Sequence, residues 1–323
     1  VAAVSQPSAV VERANGDLFF TATGTHIIGH VASPSDQFTV FAGTTAAAGN
    51  VDAAGTAAQS DQASLYVADS GSCVIRRIDL DTTSTTTVAG TAGSCGTVEF
   101  GMSTSAVLGG LFGLAVDARD ALLVTLSSKG RVALVRFLGD ARVPQVYPYA
   151  CSGNVDRAED GDMLRASCAP YHIAVVASSS PAVVFFVCAL SQSLRKIDSG
   201  LVTTLAHIPL TSSHSAVALS RSPIVASGEL YLASRTWAIP GALYVTDAAQ
   251  HLVTTSHFTP PAMPRISDGA NAAFATSVYG DGTNGYIENV GLAARMGHGR
   301  GLVIVSNDLI FLENLRIRKF DRG

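Results

Sequence analysis

Three observations predict an all-β chain of six four-stranded units closed into a ring. The first is a recurring pattern, clearest over residues 65–79 and 85–90: a strand, a tight polar turn, a second strand, an Asp/Thr turn and a third strand. The second is composition. Nearly half the chain (47%) is hydrophobic, yet only 14% is charged, against about 25% in a typical soluble domain. Small residues fill the difference, as many short strands joined by tight turns require. The third lies at the chain ends. The last unit stops after three strands, and Val1-Ala2-Ala3-Val4 precedes the first strand of the first unit. The N-terminal strand is therefore expected to pair into the last unit and close the ring, which removes the open seam of a linear array.

The units follow in order. Unit one has strands at 8–11, 17–22, 26–31 and 38–43, with Asn15-Gly16 as a turn pair suited to positive φ. Unit two is the clearest copy, but its first strand, between Gly43 and Leu65, is illegible: it is degenerate or missing from the chain. Unit three runs 113–117, 122–126, 131–137 and 143–149, and Pro144 and Pro148 place the last of these on an outer edge. Unit four runs 172–176, 183–188, 194–198 and 201–206. Unit five takes 215–219, 229–233, 242–247 and 251–258, with an enlarged turn at 234–241 and a long Pro/Gly/Asp-rich insert at 259–296. Unit six has 301–305, 309–313 and 315–321. Each unit alone exposes two greasy faces, and stacking the units buries them. The whole of 1–323 reads as one domain.

Charge removes one class of function. The formal net charge is -4 and lysine occurs only at 129, 196 and 319, so the basic face that nucleic-acid binding needs is lacking. No apolar run reaches the roughly 20 residues of a spanning helix, so this piece makes no membrane contact of its own. The chain begins at Val1 without methionine or signal peptide and reads as a processed or excised piece of a longer protein, one that can be membrane-anchored. Five cysteines occur and none is in a CxxC pair. Cys73 and Cys95 lie in turns of one unit, Cys151 and Cys168 bracket a polar loop, and Cys188 lies in a strand. Two disulfides among the four loop cysteines and one buried thiol at Cys188 imply an oxidising, extracellular or cell-surface setting. The alternative is five unpaired thiols in a reducing one.

The segments LYVADSGSCVIRRIDL, TTTVAGTAG, FGLAVD, SLRKIDSGLVTTLA and LRIRKFD resemble NHL repeats, and Asp160-Gly161 and Asp281-Gly282 resemble the family's inter-repeat loop. The resemblance implies a six-bladed β-propeller with N-terminal strand closure. It also implies a choice of uses: receptor ectodomains, protein- or RNA-binding platforms, and a metal-dependent lyase.

The expected function is a non-enzymatic binding domain for a protein or peptide partner, with Trp237, Tyr171 and Arg300 as contact residues, since aromatic and arginine side chains on a rigid scaffold anchor recognition. Trp237 reads equally as a plug against a neighbouring unit. The alternative is a metal-dependent lyase or hydrolase. His172 and His214 begin first strands and His298 closely precedes one; three imidazoles converging at a channel mouth make a zinc set. No cofactor is otherwise expected. Asp156, Glu159, Asp160 and Asp162 could hold calcium through oxygen ligands, but a solvated loop is the plainer account. The repeated Arg/Lys-Ile/Phe-Asp of third strands (Arg77-Ile78-Asp79, Lys196-Ile197-Asp198, Lys319-Phe320-Asp321) reads as structural pairing between strands.

Overall fold

The computed structural model describes most of residues 4–207, apart from short gaps and 45–56, and beyond 207 mainly the strands. Pro7–Glu12 (β1), Leu18–Ala22 (β2), Ile27–Ala32 (β3) and Gln37–Ala42 (β4) form an antiparallel meander. Ala57–Ser60 (β5), Ser64–Asp69 (β6), Val74–Asp79 (β7) and Thr85–Ala89 (β8) form the next. Gly101–Met102 (β9) lies outside the third meander, made of Leu111–Val116 (β10), Leu122–Leu126 (β11), Arg131–Leu138 (β12) and Val143–Ala150 (β13). Gly161–Asp162 (β14) lies outside the fourth, made of Pro170–Val176 (β15), Val183–Cys188 (β16), Ser193–Asp198 (β17) and Leu201–His207 (β18).

The remaining strands depart from this plan. Val217–Leu219 (β19) is followed by a separate hairpin of Ser222–Ala226 (β20) and Glu229–Ala233 (β21). Ala242–Asp247 (β22), Leu252–His257 (β23) and Ala275–Tyr279 (β24) then complete the sheet that β19 begins. Gly299–Val305 (β25), Asp308–Glu313 (β26) and Arg316–Asp321 (β27) form a three-stranded sheet.

The result is a propeller-like arrangement of small antiparallel sheets around an axis. First strands touch in circuit: β1 lies beside β5, β5 beside β10, β10 beside β15, β15 beside β19, β19 beside β25, and β25 beside β1. Strand alternation explains the stacking, because successive side chains point to opposite faces and both faces are covered. Phe19, with Val11 and Ile28, packs on Leu65 and Val67 of the second sheet, while Phe20, Val10 and Ile27 pack with Leu312 of the last. Tyr66 and Ala68 face Leu122 and Val124 of the third sheet. Leu123 and Val132 turn the other way, towards Phe186 and Ile197 of the fourth.

Several expectations are corrected. Among the described residues four sheets, not six, are regular blades of four consecutive strands; the sheet of β19, β22, β23 and β24 is interrupted by the β20–β21 hairpin, and the last has three strands. In the fifth unit the run Glu229–Ala233 pairs with Ser222–Ala226 as a local hairpin, so β22 becomes the second strand and β24, drawn from the insert, the fourth. The illegible first strand of unit two is β5, whose Ala-Ala-Gln-Ser carries no large apolar residue and is held by its ladder to β6. Residues 1–3, which were to close the ring, lie outside the described residues; Val4 packs against the cluster that Leu312 of the last sheet shares with Val10, Phe20 and Ile27. No helix among the described residues is long and apolar enough to cross a membrane.

The disulfides also differ. Cys73 bonds Cys95 and Cys168 bonds Cys188, leaving Cys151 as the buried free thiol. Cys188 is the last residue of β16, opposite Pro170 and Ser193, in the place that Asp69 holds in β6. One place earlier in the strand it would face the other side, since a slip of one residue turns a strand side chain over. Burial pushes the Cys151 thiol up to about 11, against the smaller pulls of Arg195 and Arg131.

Candidate functional site: the bulged ends of the first strands

A β-bulge opens four of the first strands near the end where each begins. Ladder pairing shifts between Pro7 and Ala9, Leu111 and Leu114, Pro170 and Ile173, and Gly299 and Leu302. The extra residues are Ser8, Phe112-Gly113, Tyr171-His172 and Arg300-Gly301. A bulge breaks strand alternation and re-aims side chains, which is why bulges gather beside functional sites. Tyr171, Arg300 and Phe112 therefore occupy equivalent places on three first strands, and His172 follows Tyr171 as Gly113 follows Phe112.

Phe112, Tyr171 and His172 are all half-buried. The Phe112 ring lies 4.5 Å from the Tyr171 ring, tilted by 56°, and 5.0 Å from the His172 imidazole, nearly perpendicular at 87°. Such edge-to-face packing suits the positive edge and negative face of aromatic rings. The strands approach closely because residue 113 is glycine: a Cβ there would meet the Tyr171 carbonyl oxygen at 2.5 Å and the His172 Cα at 3.2 Å. Opposite the Phe112-Gly113 bulge stands buried Thr125. Its Oγ1 accepts the Gly113 N–H at 2.6 Å and donates to the Tyr171 carbonyl.

The structure thus brings together Tyr171 and His172 of the expected site residues, and places the Arg300 backbone in the equivalent bulge of β25. His214, His298 and Trp237 lie outside the described residues. Phe112 and Thr125 were not anticipated. A signal for the second exists in the sequence, because Thr21 and Thr125 are both the penultimate residues of second strands, and Thr21 likewise bonds the amide of Ala9 at 3.1 Å and the hydroxyl of Ser8 at 3.0 Å.

The acidic loop has another role. Asp160 accepts from fully buried Arg195, from the Thr204 amide at 2.9 Å and from the Thr204 hydroxyl at 2.8 Å. Burial pushes its carboxyl up, but these bonds together outweigh it and hold the group below its ordinary value. Asp162 accepts the Leu164 amide at 3.0 Å, and Asp156 lies outside the described residues. Asp160 is thus a latch between the loop and the sheet, with oxygens already engaged, rather than a calcium ligand. The third-strand charges are also structural. Arg76 Nε lies 3.3 Å from Asp69, Arg77 donates to Ser64 at 2.7 Å, and Lys196 pairs with Asp198 at 2.8 Å. Where β6 ends in Asp69 the arginine pairs on its own hairpin; where β16 ends in Cys188, Arg195 takes Asp160 instead.

No family model matches the chain, and no curated protein matches it. Solved structures do. A streptogramin B lyase is 13% identical, covering 98% of this chain and 94% of that one, with a TM-score of 0.56. A catalytically inactive histidine-to-alanine variant of virginiamycin B lyase from Staphylococcus aureus, with quinupristin, is 11% identical over 98% and 84%, with a TM-score of 0.51. An auxiliary nutrient binding protein from Bacteroides thetaiotaomicron is 13% identical over 98% and 69%, with a TM-score of 0.61. These share its fold. They also overturn the expectation of a purely binding domain, because the fold matched along nearly the whole chain is one that lyases use. Composition and repeats could not have separated the two uses: the scaffold is common to them, and the difference lies in a few side chains at its rim.

Proposed function

We propose that this protein is a metal-dependent lyase or hydrolase whose reaction centre lies at the end of the ring where the first strands begin. The observation that carries the reading is the Tyr171-His172 bulge, which presents a half-buried imidazole at that end against the Phe112 ring, on which Tyr171 also packs. Among the described residues no three His, Cys, Asp or Glu side chains gather to hold a metal ion. In this reading the set is completed by His214 and His298, which precede β19 and β25. A zinc ion held by three imidazoles would supply Lewis-acid polarisation of the bond to be cleaved. Phe112 and Tyr171 wall one side of the centre, restrict water there and orient the His172 ring. The inactive histidine variant of the similar lyase supports a histidine in such a role on this fold. The repeats would be of NHL type in a single domain over 1–323, and the two disulfides support an extracellular setting.

Metal analysis and zinc titration test the reading. One zinc site per chain is expected, lost in each of His172→Ala, His214→Ala and His298→Ala. A wild-type protein without a zinc site, or a site indifferent to all three substitutions, overturns it. Quinupristin serves as a first trial substrate, and mass spectrometry separates the two reaction classes: hydrolysis adds one water to the products, whereas lyase cleavage adds none.

A further inference from the structure

We propose that Thr125 is a positioning residue for His172. The role rests on the reading of His172 as a site residue, but the geometry is independent of the metal. Thr125 is fully buried on β11, and its one hydroxyl engages two first strands: it accepts the Gly113 N–H of β10 at 2.6 Å and donates to the Tyr171 carbonyl of β15. The backbone on either side of that carbonyl carries Tyr171 and His172, whose rings both rest on Phe112. One side chain therefore fixes both bulges against each other and sets where the imidazole stands. The equivalent Thr21 makes its bonds within its own sheet, to Ala9 and Ser8. The penultimate residues of β6 and β16 are Ala68 and Val187, which have no hydroxyl. The blade itself does not need this hydroxyl; the bond across sheets is what distinguishes Thr125.

The test compares Thr125→Val, which keeps the shape and removes the hydroxyl, with Thr125→Ser, which keeps the hydroxyl. The readout is the NMR shift of the His172 ring proton, with Phe112→Leu calibrating the ring-current contribution and His26 and His30 reporting an intact fold. The serine variant is expected to hold the wild-type shift. The valine variant should move it towards the Phe112→Leu value and weaken binding of zinc alone about tenfold, the usual order for losing an outer support of a ligand. A folded valine variant with an unmoved His172 resonance overturns the proposal. If valine prevents folding, Thr125→Ala gives the same comparison without crowding. A moved resonance in a protein that binds no zinc supports the positioning role while rejecting the metal reading.

Discussion

Removing the Asp160 carboxylate should destabilise the protein by about 2–3 kcal/mol. Arg195 is fully buried; its Nη1 donates to the Ser167 carbonyl at 2.7 Å, its Nη2 to Asp160, and its Nε finds no partner among the described residues. Stranding a fully buried charge costs about 3–5 kcal/mol. The Asp160 side chain is 47% exposed, so water can reach the gap, which reduces the cost to roughly 2–3 kcal/mol for Asp160→Ala. Asp160→Asn keeps an acceptor for the Thr204 amide and loses only the charge, for about 1–2 kcal/mol. In a chain of this length the larger effect lowers Tm by roughly 4 °C. Urea denaturation at neutral pH reads the loss as a lower midpoint with unchanged slope. Because the Asp160 carboxyl is held below its ordinary value, its contribution is complete above the ordinary carboxyl range and fades as pH falls below about 4. The asparagine variant should therefore lose less stability than wild type over that acid range. Arg195→Met combined with Asp160→Ala should recover part of the loss, since no buried charge then remains. An Asp160→Ala protein within about 0.5 kcal/mol of wild type would refute the latch.

Non-reducing peptide mapping should find Cys73 joined to Cys95 and Cys168 to Cys188, with one thiol freed only on unfolding; a Cys151–Cys168 link would contradict the assignment. Loss of either bridge, which closes a loop of 22 or 20 residues, should cost about 3 kcal/mol by chain entropy. Native Cys151 should resist alkylation near pH 8, because its raised value keeps it a buried thiol. Its contribution to stability should hold up to about pH 8.5 and fade as pH rises towards 11, a decline that Cys151→Ala would lack. Gly113→Ala should lower the urea midpoint by an amount equal to about 1–3 kcal/mol, since its Cβ would press on the Tyr171 carbonyl.

The first four sheets were legible because their second strands are largely apolar runs, buried on both faces, and each is followed across a short turn by a third strand. Leu65-Tyr66-Val67 sends alternate side chains to two different neighbours, so no residue in it can be polar without a partner. Ala57-Ala58-Gln59-Ser60 could not be read because it holds no large apolar residue, and its backbone ladder to β6 is what marks it as a strand. Glu229–Ala233 has every mark of a second strand, yet the nearby Ser222–Ala226 captures it first. The bulges leave no mark in single-residue periodicity. His172 and Arg300 each lie in such a bulge. The site was visible only as residue types near strand ends; which of them meet depended on a glycine and a threonine hydroxyl between two sheets.

Anomalous diffraction at the zinc edge, from crystals soaked in zinc, tests the central claim most directly. The account predicts one strong peak about 2.0–2.1 Å from a ring nitrogen of His172, with His214 and His298 completing the set at the end of the ring where the first strands begin. A peak elsewhere, or no peak with the three rings turned away from one another, would contradict it.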